Sequence, residues 1–551
     1  MSDTYGNDPG RKRPAPYDFD AEWDAEAMLR RRQSERDTVA QPQEPAPSAQ
    51  IPRIQPRENV DYASRSSQPQ QRRSPAATAR RPSQRSAAER RKRRRRAQIR
   101  GWTILIALIL VALLVIGGLI YLVVGAILPE KVVPTEPSTT EEPTETTIPR
   151  AEVIAGLIER GDFLAAGYDY DAATAVLTEF GPDWQQQPEL KEANDRYLAE
   201  KAKTVRWADT TQITHIFFHS LIVDTDRAFD GEYTENGYNQ YMATVSEFRA
   251  ILEELYRRGY VLVHIHDIAT PKTDESGNTV YEQGDIFLPP GKTPIIISQD
   301  DVNYYEYMVD GDEDRVPDAK GDGFANKLVI GNDGFPTCEY ITADGQTVYG
   351  EYDLVPILEA FVQEHPDFSY RGARGILALT GYEGVFGYRT HPEWEDILGS
   401  DAYMQEIRDA QELTKCLKEH GWEIASHSYA HFGYGNHDSA EVASDVQKWE
   451  NQVQPVVGDT DIFIYPYGSD IAGVEKYSGA KFDALYEAGY RFFCNVDSTR
   501  YWVQIHDNYV RQGRRNIDGY RMWWDPELLD DLFDVEEIFD PARPTPVPSI
   551  V

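Results

Sequence analysis

The residues of this chain that could do chemistry together are two histidines and an acidic pair. His427 and His431 stand four positions apart, so both imidazoles would lie on one face if the backbone there is helical. Asp300 and Asp301 follow the apolar residues 294–297 and could supply a carboxylate ligand and a spare base. Two histidines and one carboxylate leave open positions on a divalent metal, as the activation of water requires. Each part also has an ordinary alternative, because such histidine pairs are often incidental and Asp-Asp often forms a solvated turn or a helix cap.

A third segment completes an order of motifs that resembles a known family. Residues 300–301, 427–431 and 465–468 read Asp-Asp, His-Ser-Tyr-Ala-His and Tyr-Pro-Tyr-Gly. They are similar to the T-F-D-D-G, H-[ST]-x-x-H and R-x-P-[YF]-G motifs of polysaccharide deacetylases of the NodB-homology type, which are metal-dependent carbohydrate esterases. The second motif matches in full. The first has Gln299 in place of phenylalanine, and the third has Ile464 in place of arginine.

The resemblance implies a role for each matching residue. Asp300 would be the general base, while Asp301, His427 and His431 would bind one divalent ion. Zinc is the expected metal, with cobalt, nickel or manganese as alternatives. The backbone N–H of Tyr467 would stabilise the oxyanion. The implied reaction is hydrolysis of acetamido groups on an N-acetylated polysaccharide.

The missing arginine leads to a structural prediction. In the family this arginine orients and tunes the base, and Ile464 cannot do so. Three arginines later in the chain could replace it, namely Arg511, Arg514 and Arg515. We expect one of their guanidinium groups to lie within about 4 Å of the carboxylate of Asp300 or Asp497.

Other candidate site residues come from the later chain and from aromatic positions. Asp497 and Trp502 resemble an acidic residue and a tryptophan that line the family's site, although their spacing is stretched. His506 resembles the family's general acid, with a surface histidine as the alternative. Tyr304, Tyr465 and Trp502 are expected to contact substrate, since aromatic side chains stack on sugar rings.

Apolar strand-like runs alternate with helical patterns from residue 213 onward. The predicted strands are residues 213–222, 259–265, 294–298, 375–380, 422–426, 461–465 and 490–496. This alternation predicts a parallel sheet, and about seven strands favour an α/β fold of the (β/α) barrel type. The resemblance, which covers about residues 213–519, implies the same distorted, NodB-like barrel. The acidic pair, His427 and Tyr467 each follow a predicted strand, at the end where such barrels carry their chemistry.

The earlier part of the chain predicts attachment to a membrane. Residues 102–128 form an uncharged apolar run long enough to span a lipid bilayer, and the basic residues 90–96 place the N-terminus in the cytoplasm. We therefore expect a single-pass protein of the cell membrane with its C-terminal domain outside. The remaining expected segments are a disordered basic tail (1–101), a Pro/Thr/Glu-rich linker (129–150), a tetratricopeptide-like helical hairpin serving as spacer (151–207), the catalytic domain (208–532) and a C-terminal tail (533–551).

The charge balance argues against polyanionic ligands. The net charge is −35, and residues 1–101 hold 23 Lys and Arg against 13 Asp and Glu, or +10, so the remainder carries −45. An outer part this acidic is not expected to bind nucleic acid. Three cysteines are too few for a disulfide framework, and the sequence does not indicate an oligomeric state.

Two classes of function remain open. One is an active metal-dependent N-deacetylase that acts on a cell-envelope or extracellular polysaccharide. The other is a glycan-binding or envelope-assembly protein on the same scaffold, with weakened catalysis. The complete set of metal ligands favours the enzyme, whereas the missing arginine favours the binding protein.

Overall fold

The computed structural model describes residues 149–232, 234–311 and 315–549. The tail, the apolar run at 102–128 and the linker as far as residue 148 lie outside these residues. None of the helices in the described part is long and apolar enough to cross a membrane.

The strands of the described residues are numbered in chain order. They are β1 (Val205–Arg206), β2 (Thr214–Phe218), β3 (Tyr260–Leu262), β4 (Ala269–Thr273), β5 (Thr279–Gln283), β6 (Phe287–Leu288), β7 (Thr293–Gln299), β8 (Lys327–Ile330), β9 (Pro336–Ile341), β10 (Thr347–Gly350), β11 (Ile376–Leu379), β12 (Glu423–Ser426), β13 (Ile462–Ile464), β14 (Phe492–Val496), β15 (Val503–Ile505) and β16 (Val510–Asn516).

The α-helices of the same residues are numbered in the same way. They are α1 (Arg150–Ala166), α2 (Tyr170–Thr178), α3 (Pro188–Lys201), α4 (Thr225–Ala228), α5 (Thr234–Tyr241), α6 (Val245–Arg257), α7 (Glu306–Val309), α8 (Leu354–Glu364), α9 (Trp394–Leu398), α10 (Ser400–Glu419), α11 (Ser439–Gln452), α12 (Gln454–Val457), α13 (Ala480–Glu487), α14 (Gly519–Trp524) and α15 (Val535–Ile538).

Seven parallel strands of the described chain close into a barrel. In chain order, β2, β7, β11, β12, β13, β14 and β16 each pair with the next, and β16 pairs with β2 to complete the ring. Helices α6, α8, α10, α11 and α13 fall between successive barrel strands along the chain. The predicted (β/α) barrel is therefore confirmed.

Two strands differ from the sequence prediction. Residues 259–265 were expected to be a barrel strand, but β3 pairs only with the start of β7 and stays outside the ring. The ring is closed instead by β16, whose sequence Val-Arg-Gln-Gly-Arg-Arg-Asn has no apolar pattern and was not predicted as a strand. All seven of its residues are buried, so the barrel strand that hydropathy cannot detect is made largely of polar side chains.

The barrel strands bury both of their faces. Alternate residues such as Ile216 and Leu377 pack outward against the helices, whereas Ile296, Ala425 and Ile464 belong to the cluster that fills the barrel interior. Because side chains alternate along a strand, near-continuous apolar runs are expected where both faces are covered. Ile464, which replaces the family's arginine, is fully buried in this interior cluster.

The segment before the barrel is a small helical unit of three helices rather than the two-helix hairpin expected from sequence. Leu157 and Tyr197 of α1 and α3 share one apolar cluster with Val261 and Val263, at the end of the barrel where β7 begins. Tyr168 donates from its hydroxyl to the carbonyl of Asp367, which fixes the unit to the loop after α8. The helical unit therefore packs directly on the barrel.

Residues 533–549, which the sequence separated as a tail, pack against α5 and α6. Val547 is fully buried, and the amide of Asn239 donates to the carbonyl of Pro544 at 2.8 Å. The guanidinium of Arg543 forms an ion pair with Glu247 at 2.6 Å, and both side chains have zero exposure. Glu247 also completes a capping box with Thr244 at the start of α6. This C-terminal arm therefore holds the loop that leads to α6.

The ion pair of the C-terminal arm predicts a large loss of stability when the side chain of Arg543 is removed. Replacing Arg543 by Ala leaves the Glu247 carboxylate buried without a cation, so the free energy of unfolding should fall by about 3–5 kcal/mol. Arg249 on the same helix is the matched control, because its pair with Glu351 is nearly half exposed and Arg249→Ala should cost about 1 kcal/mol or less. Equal losses in urea denaturation of the two variants would contradict this assignment.

Candidate metal centre

The sequence-predicted motifs meet in one cavity at the carboxyl ends of the barrel strands. About 390 Å³ of space lies in this cavity, part of it open to solvent. Its lining residues are Phe217, His219, Tyr241, Asp300, Asp301, His427, His431, Tyr465, Tyr467, Val496 and Arg514. Carboxylates, imidazoles and one guanidinium therefore share a small space with aromatic walls.

Three of these side chains form a candidate metal site. One ligand atom each of Asp301, His427 and His431 lies within 4.8 Å of the others. Nε2 of His431 is 3.5 Å from Oδ2 of Asp301. Among the described residues this is the one group of three or more such side chains that could hold an ion. Two imidazoles and a carboxylate leave coordination positions open.

The hydrogen bonds of the two imidazoles suit metal binding. Nδ1 of His427 is 2.9 Å from the carbonyl of Ile464, and a carbonyl only accepts, so Nδ1 donates, and Nε2 of the neutral ring is the nitrogen that could bind a metal. Burial lowers the pKa of His431 to about 4, which keeps its ring neutral, as a metal ligand must be. The residues present therefore fit a divalent cation.

The backbone carrying these ligands is strained. Asp301, Ser428, His431 and Tyr467 have φ values of 57°, 57°, 47° and 56°, in the left-handed region that costs non-glycine residues about 1–2 kcal/mol each. The segment after β12 is accordingly a loop, so the premise that both histidines share a helical face is wrong. They converge because the loop turns sharply between them, and clustering of such strain is typical of functional sites.

Arg514 supplies the guanidinium that the third motif lacks. Its Nη1 and Nη2 donate to Oδ1 and Oδ2 of Asp300 at 2.6 and 2.8 Å, which is a bidentate pair. Burial alone would raise the pKa of Asp300, but the charge and hydrogen bonds of Arg514, together with the neighbouring imidazoles, hold that pKa below its ordinary value. Of the three arginines considered from sequence, Arg511 pairs with Asp470 and Arg515 with Asp531.

A chain of buried hydrogen bonds supports the guanidinium of Arg514. Its Nη1 donates to Oγ of Ser298 at 3.1 Å, and that oxygen is 2.9 Å from Nε2 of His215. Nδ1 of His215 is 3.1 Å from Oε1 of Gln512, whose amide nitrogen donates to the carbonyl of Ile213. Since the amide oxygen only accepts, Nδ1 of His215 carries the proton and Nε2 accepts from the serine. Burial lowers the pKa of His215 to about 3, so this relay is neutral.

Two of the predicted substrate-binding tyrosines are buried. Tyr304 is fully enclosed and donates to Oδ2 of Asp353 at 2.6 Å, so it faces the barrel's outer layer and is not a substrate contact. Gln299 donates to the same carboxylate, which takes its side chain away from Asp300. Tyr465 borders the cavity but is also fully buried, within the aromatic cluster outside β13.

Three candidates from the later chain do not line the cavity. Oδ1 of Asp497 accepts from the backbone N–H of Thr499, and Trp502 lies over the guanidinium of Arg511. His506 follows Ile505, the last residue of β15, which pairs with Val510 at the start of β16. The start of β16 is at the end of the barrel away from the cavity. Nε2 of His506 is 3.3 Å from Gln504. The position of His506 therefore does not support a role as general acid.

Two site residues were not among those predicted from the sequence. His219 follows β2 and lines the cavity, and its Nδ1 is 3.0 Å from the carbonyl of Tyr241. Its strand-end position was the available signal. Tyr305 donates from its hydroxyl to Oδ1 of Asp301 at 2.7 Å. Nothing in its local sequence distinguishes it from Tyr304, whose side chain points the other way.

Comparison with known proteins gives a family match and several similar solved structures. Residues 399–493 match the family model described as polysaccharide deacetylase. That stretch contains His427, His431 and Tyr467 but neither the acidic pair nor β16. The Streptococcus pyogenes deacetylase PplD in complex with acetate has 12% identity and a TM-score of 0.30, covering 61% of this chain and 100% of its own. The BpsB deacetylase domain from Bordetella bronchiseptica has 11% identity and a TM-score of 0.27, covering 56% and 98%. No curated protein sequence matches significantly.

The neutral histidine of the relay predicts a pH dependence of stability. In the unfolded chain His215 titrates near its ordinary pKa of about 6.5, whereas in the folded protein it does so near 3. Between these values the unfolded chain binds the extra proton, so stability should fall as the pH falls through this window. The slope from this one group is at most about 1.4 kcal/mol per pH unit.

A variant with no titratable side chain at position 215 isolates the contribution of His215 to the pH dependence of stability. His215→Gln should be less stable than the wild type at pH 7.5, but it should lose less stability between pH 6.5 and pH 4.5. Urea denaturation at these three pH values measures both effects. Parallel pH profiles for the two proteins would show that the pKa of His215 is not lowered in the folded protein.

Proposed function

We propose that this chain, a hydrolase with a polysaccharide deacetylase domain, is a metal-dependent N-deacetylase of a cell-envelope or extracellular N-acetylated polysaccharide. The observation that carries the proposal is the convergence of Asp301, His427 and His431 in one cavity, directly beside Asp300. Such a site needs both an ion and a neighbouring base to hydrolyse an amide.

The ligand set favours zinc. Two neutral imidazoles and one carboxylate are typical of a catalytic zinc site with open positions, and cobalt, nickel or manganese also accept such ligands. A divalent cation bound there would supply Lewis acidity to the amide carbonyl and to the attacking water.

Asp300 is placed to accept the proton of the attacking water. Its Oδ2 is 3.9 Å from Nε2 of His427, so the carboxylate borders the space between the ligands. The bidentate contact with Arg514 fixes the plane of the carboxylate and keeps it ionised, which a proton acceptor requires. This arrangement removes the main argument for a catalytically weakened scaffold, namely the absence of a guanidinium beside the base.

Tyr467 and His219 would complete the reaction. Tyr467 lies in a left-handed turn at the cavity wall, and its backbone N–H would stabilise the oxyanion of the tetrahedral intermediate. His219 lines the same cavity as Asp300 and Asp301. Its Nδ1 is engaged by the carbonyl of Tyr241, so Nε2 is the nitrogen that would donate a proton to the departing amine.

The proposed location is the cell surface. Residues 102–128 have the length and apolar character of a single transmembrane helix, and the basic residues 90–96 favour a cytoplasmic N-terminus. The acidic charge of the remaining chain suits a neutral or amine-bearing glycan and disfavours polyanions.

Acetate release tests the proposed activity. The full-length protein in detergent should release acetate from at least one member of a panel of N-acetylated glycans. This release should stop when a chelator is added and recover when zinc is supplied. His431→Ala should reduce release to background, because it removes a ligand. His437→Ala is the matched control, since this exposed histidine pairs with Glu441 outside the cavity. A protein that binds these glycans but releases no acetate would instead be a glycan-binding scaffold.

The Arg514 contact predicts a second effect on turnover. Arg514→Lys should lower kcat about 10- to 100-fold, because one charged hydrogen bond of about 1.5–3 kcal/mol is lost and a point charge cannot replace the planar fork. Arg515→Lys should leave kcat nearly unchanged, since Arg515 pairs with Asp531 on the outer side of the same strand. If both substitutions lower kcat equally, strand stability rather than the contact with Asp300 explains the loss.

A further inference from the structure

We infer that two tyrosine hydroxyls, those of Tyr305 and Tyr467, form the outer sphere of the candidate metal centre and position two of its three ligands. This inference rests on the proposed function in that it assigns the site to a divalent cation. It concerns how tightly the ion is held rather than which glycan is hydrolysed.

Each proposed ligand has one partner on the side away from the others. The imidazole of His427 is held by a backbone carbonyl, that of Ile464, at 2.9 Å. The other two ligands are held by side chains. Tyr305 donates to Oδ1 of Asp301 at 2.7 Å, and the hydroxyl of Tyr467 is 2.9 Å from Nδ1 of His431. Side-chain partners can be removed by substitution, whereas a backbone carbonyl cannot.

The Tyr305 contact decides which oxygen of Asp301 is available. A carboxylate oxygen only accepts, so the phenol donates to Oδ1, and its own oxygen can accept from Oγ1 of Thr380 at 3.0 Å. Oδ2 is then the oxygen that faces Nε2 of His431 at 3.5 Å.

The Tyr467 contact suits the tautomer of His431 that metal binding requires. A neutral imidazole that offers Nε2 to a cation carries its proton on Nδ1, and that proton is directed at the tyrosine oxygen 2.9 Å away. Tyr467 reaches this position from a left-handed backbone with φ of 56°, which is unfavourable for a residue with a side chain. The ring also packs edge-on against the imidazole, with centroids 4.6 Å apart. Both ring and hydroxyl therefore orient the ligand.

Zinc affinity is the measurement that tests this role. Competition with a chromophoric chelator should show that Tyr305→Phe and Tyr467→Phe each bind zinc about 10- to 100-fold more weakly than the wild type, the usual effect of removing an outer-shell partner. The double variant should show about the product of the two factors, because the hydroxyls hold different ligands. Phenylalanine keeps both aromatic rings and the backbone N–H of residue 467.

Tyr304→Phe is the matched control. Tyr304 is the neighbour of Tyr305, is equally buried, and donates to a carboxylate at 2.6 Å, but that carboxylate belongs to Asp353 and is not a ligand. Its zinc affinity should stay within about twofold of the wild type. Thermal unfolding of the metal-free proteins reports the general cost of losing a buried tyrosine hydroxyl, which should be similar for Tyr304→Phe and Tyr305→Phe.

The outcomes separate this inference from the proposed function. Suppose that the wild type binds zinc and that Tyr305→Phe or Tyr467→Phe binds it as tightly as Tyr304→Phe does. The tyrosine replaced in that variant is then not an outer-sphere residue, although the deacetylase proposal stands. If all variants weaken equally, loss of packing explains the result and the inference is overturned. If the wild type itself binds no zinc, the metal-dependent function fails and this inference fails with it.

Discussion

The bidentate ion pair between Arg514 and Asp300 is the interaction on which the rest of the site depends. Both charges lie inside the barrel, with side-chain exposures of 0% and 4%, and burying a charge is costly unless it is paired and hydrogen-bonded. The pair therefore requires β16 to sit in one register, because a shift of one residue would turn Arg514 to the outer face. Asp300, Asp301 and the ligand histidines are placed relative to a strand that this pair fixes.

The interior behind the pair is polar for the same reason. Ser298, His215 and Gln512 hydrogen-bond one another and Nη1 of Arg514 in a single direction, from Arg514 to the backbone carbonyl of Ile213. Hydrogen-bonded polar side chains in a buried network add rigidity, although Nε of Arg514 is buried without a hydrogen-bond partner among the described residues. The barrel interior is thus apolar at the amino ends of the strands, where it packs against the helical unit. It is polar towards their carboxyl ends, where it supports the acidic pair.

The sequence predicted six of the seven barrel strands, because their buried residues are apolar and hydropathy follows burial. It could not predict β16, since most of its buried side chains are polar, and the ion-pair partners of its three arginines lie more than 15 residues away along the chain. Motif matching identified Asp301, His427 and His431 as candidate ligands, because each motif is defined by a few neighbouring residues. It failed for His506 and Tyr304, because the direction of a side chain depends on strand register and barrel closure, and spacing along the chain carries neither.

The strained loops show why the site needs the barrel beneath it. Asp301, His431 and Tyr467 adopt left-handed backbones that an isolated segment would leave, so surrounding contacts must determine them. The turn at Tyr467 is held by Gly468, where an added Cβ would lie 2.6 Å from Cβ of Val496 on β14; only glycine permits this approach. The loop of His431 is held by Asp445 of α11, which accepts from the backbone N–H groups of Tyr429 and Ala430 at 2.7 and 2.8 Å. Both of these loops are thus anchored by a neighbouring strand or helix, and the convergence of the candidate ligands is a property of the closed barrel rather than of any one motif.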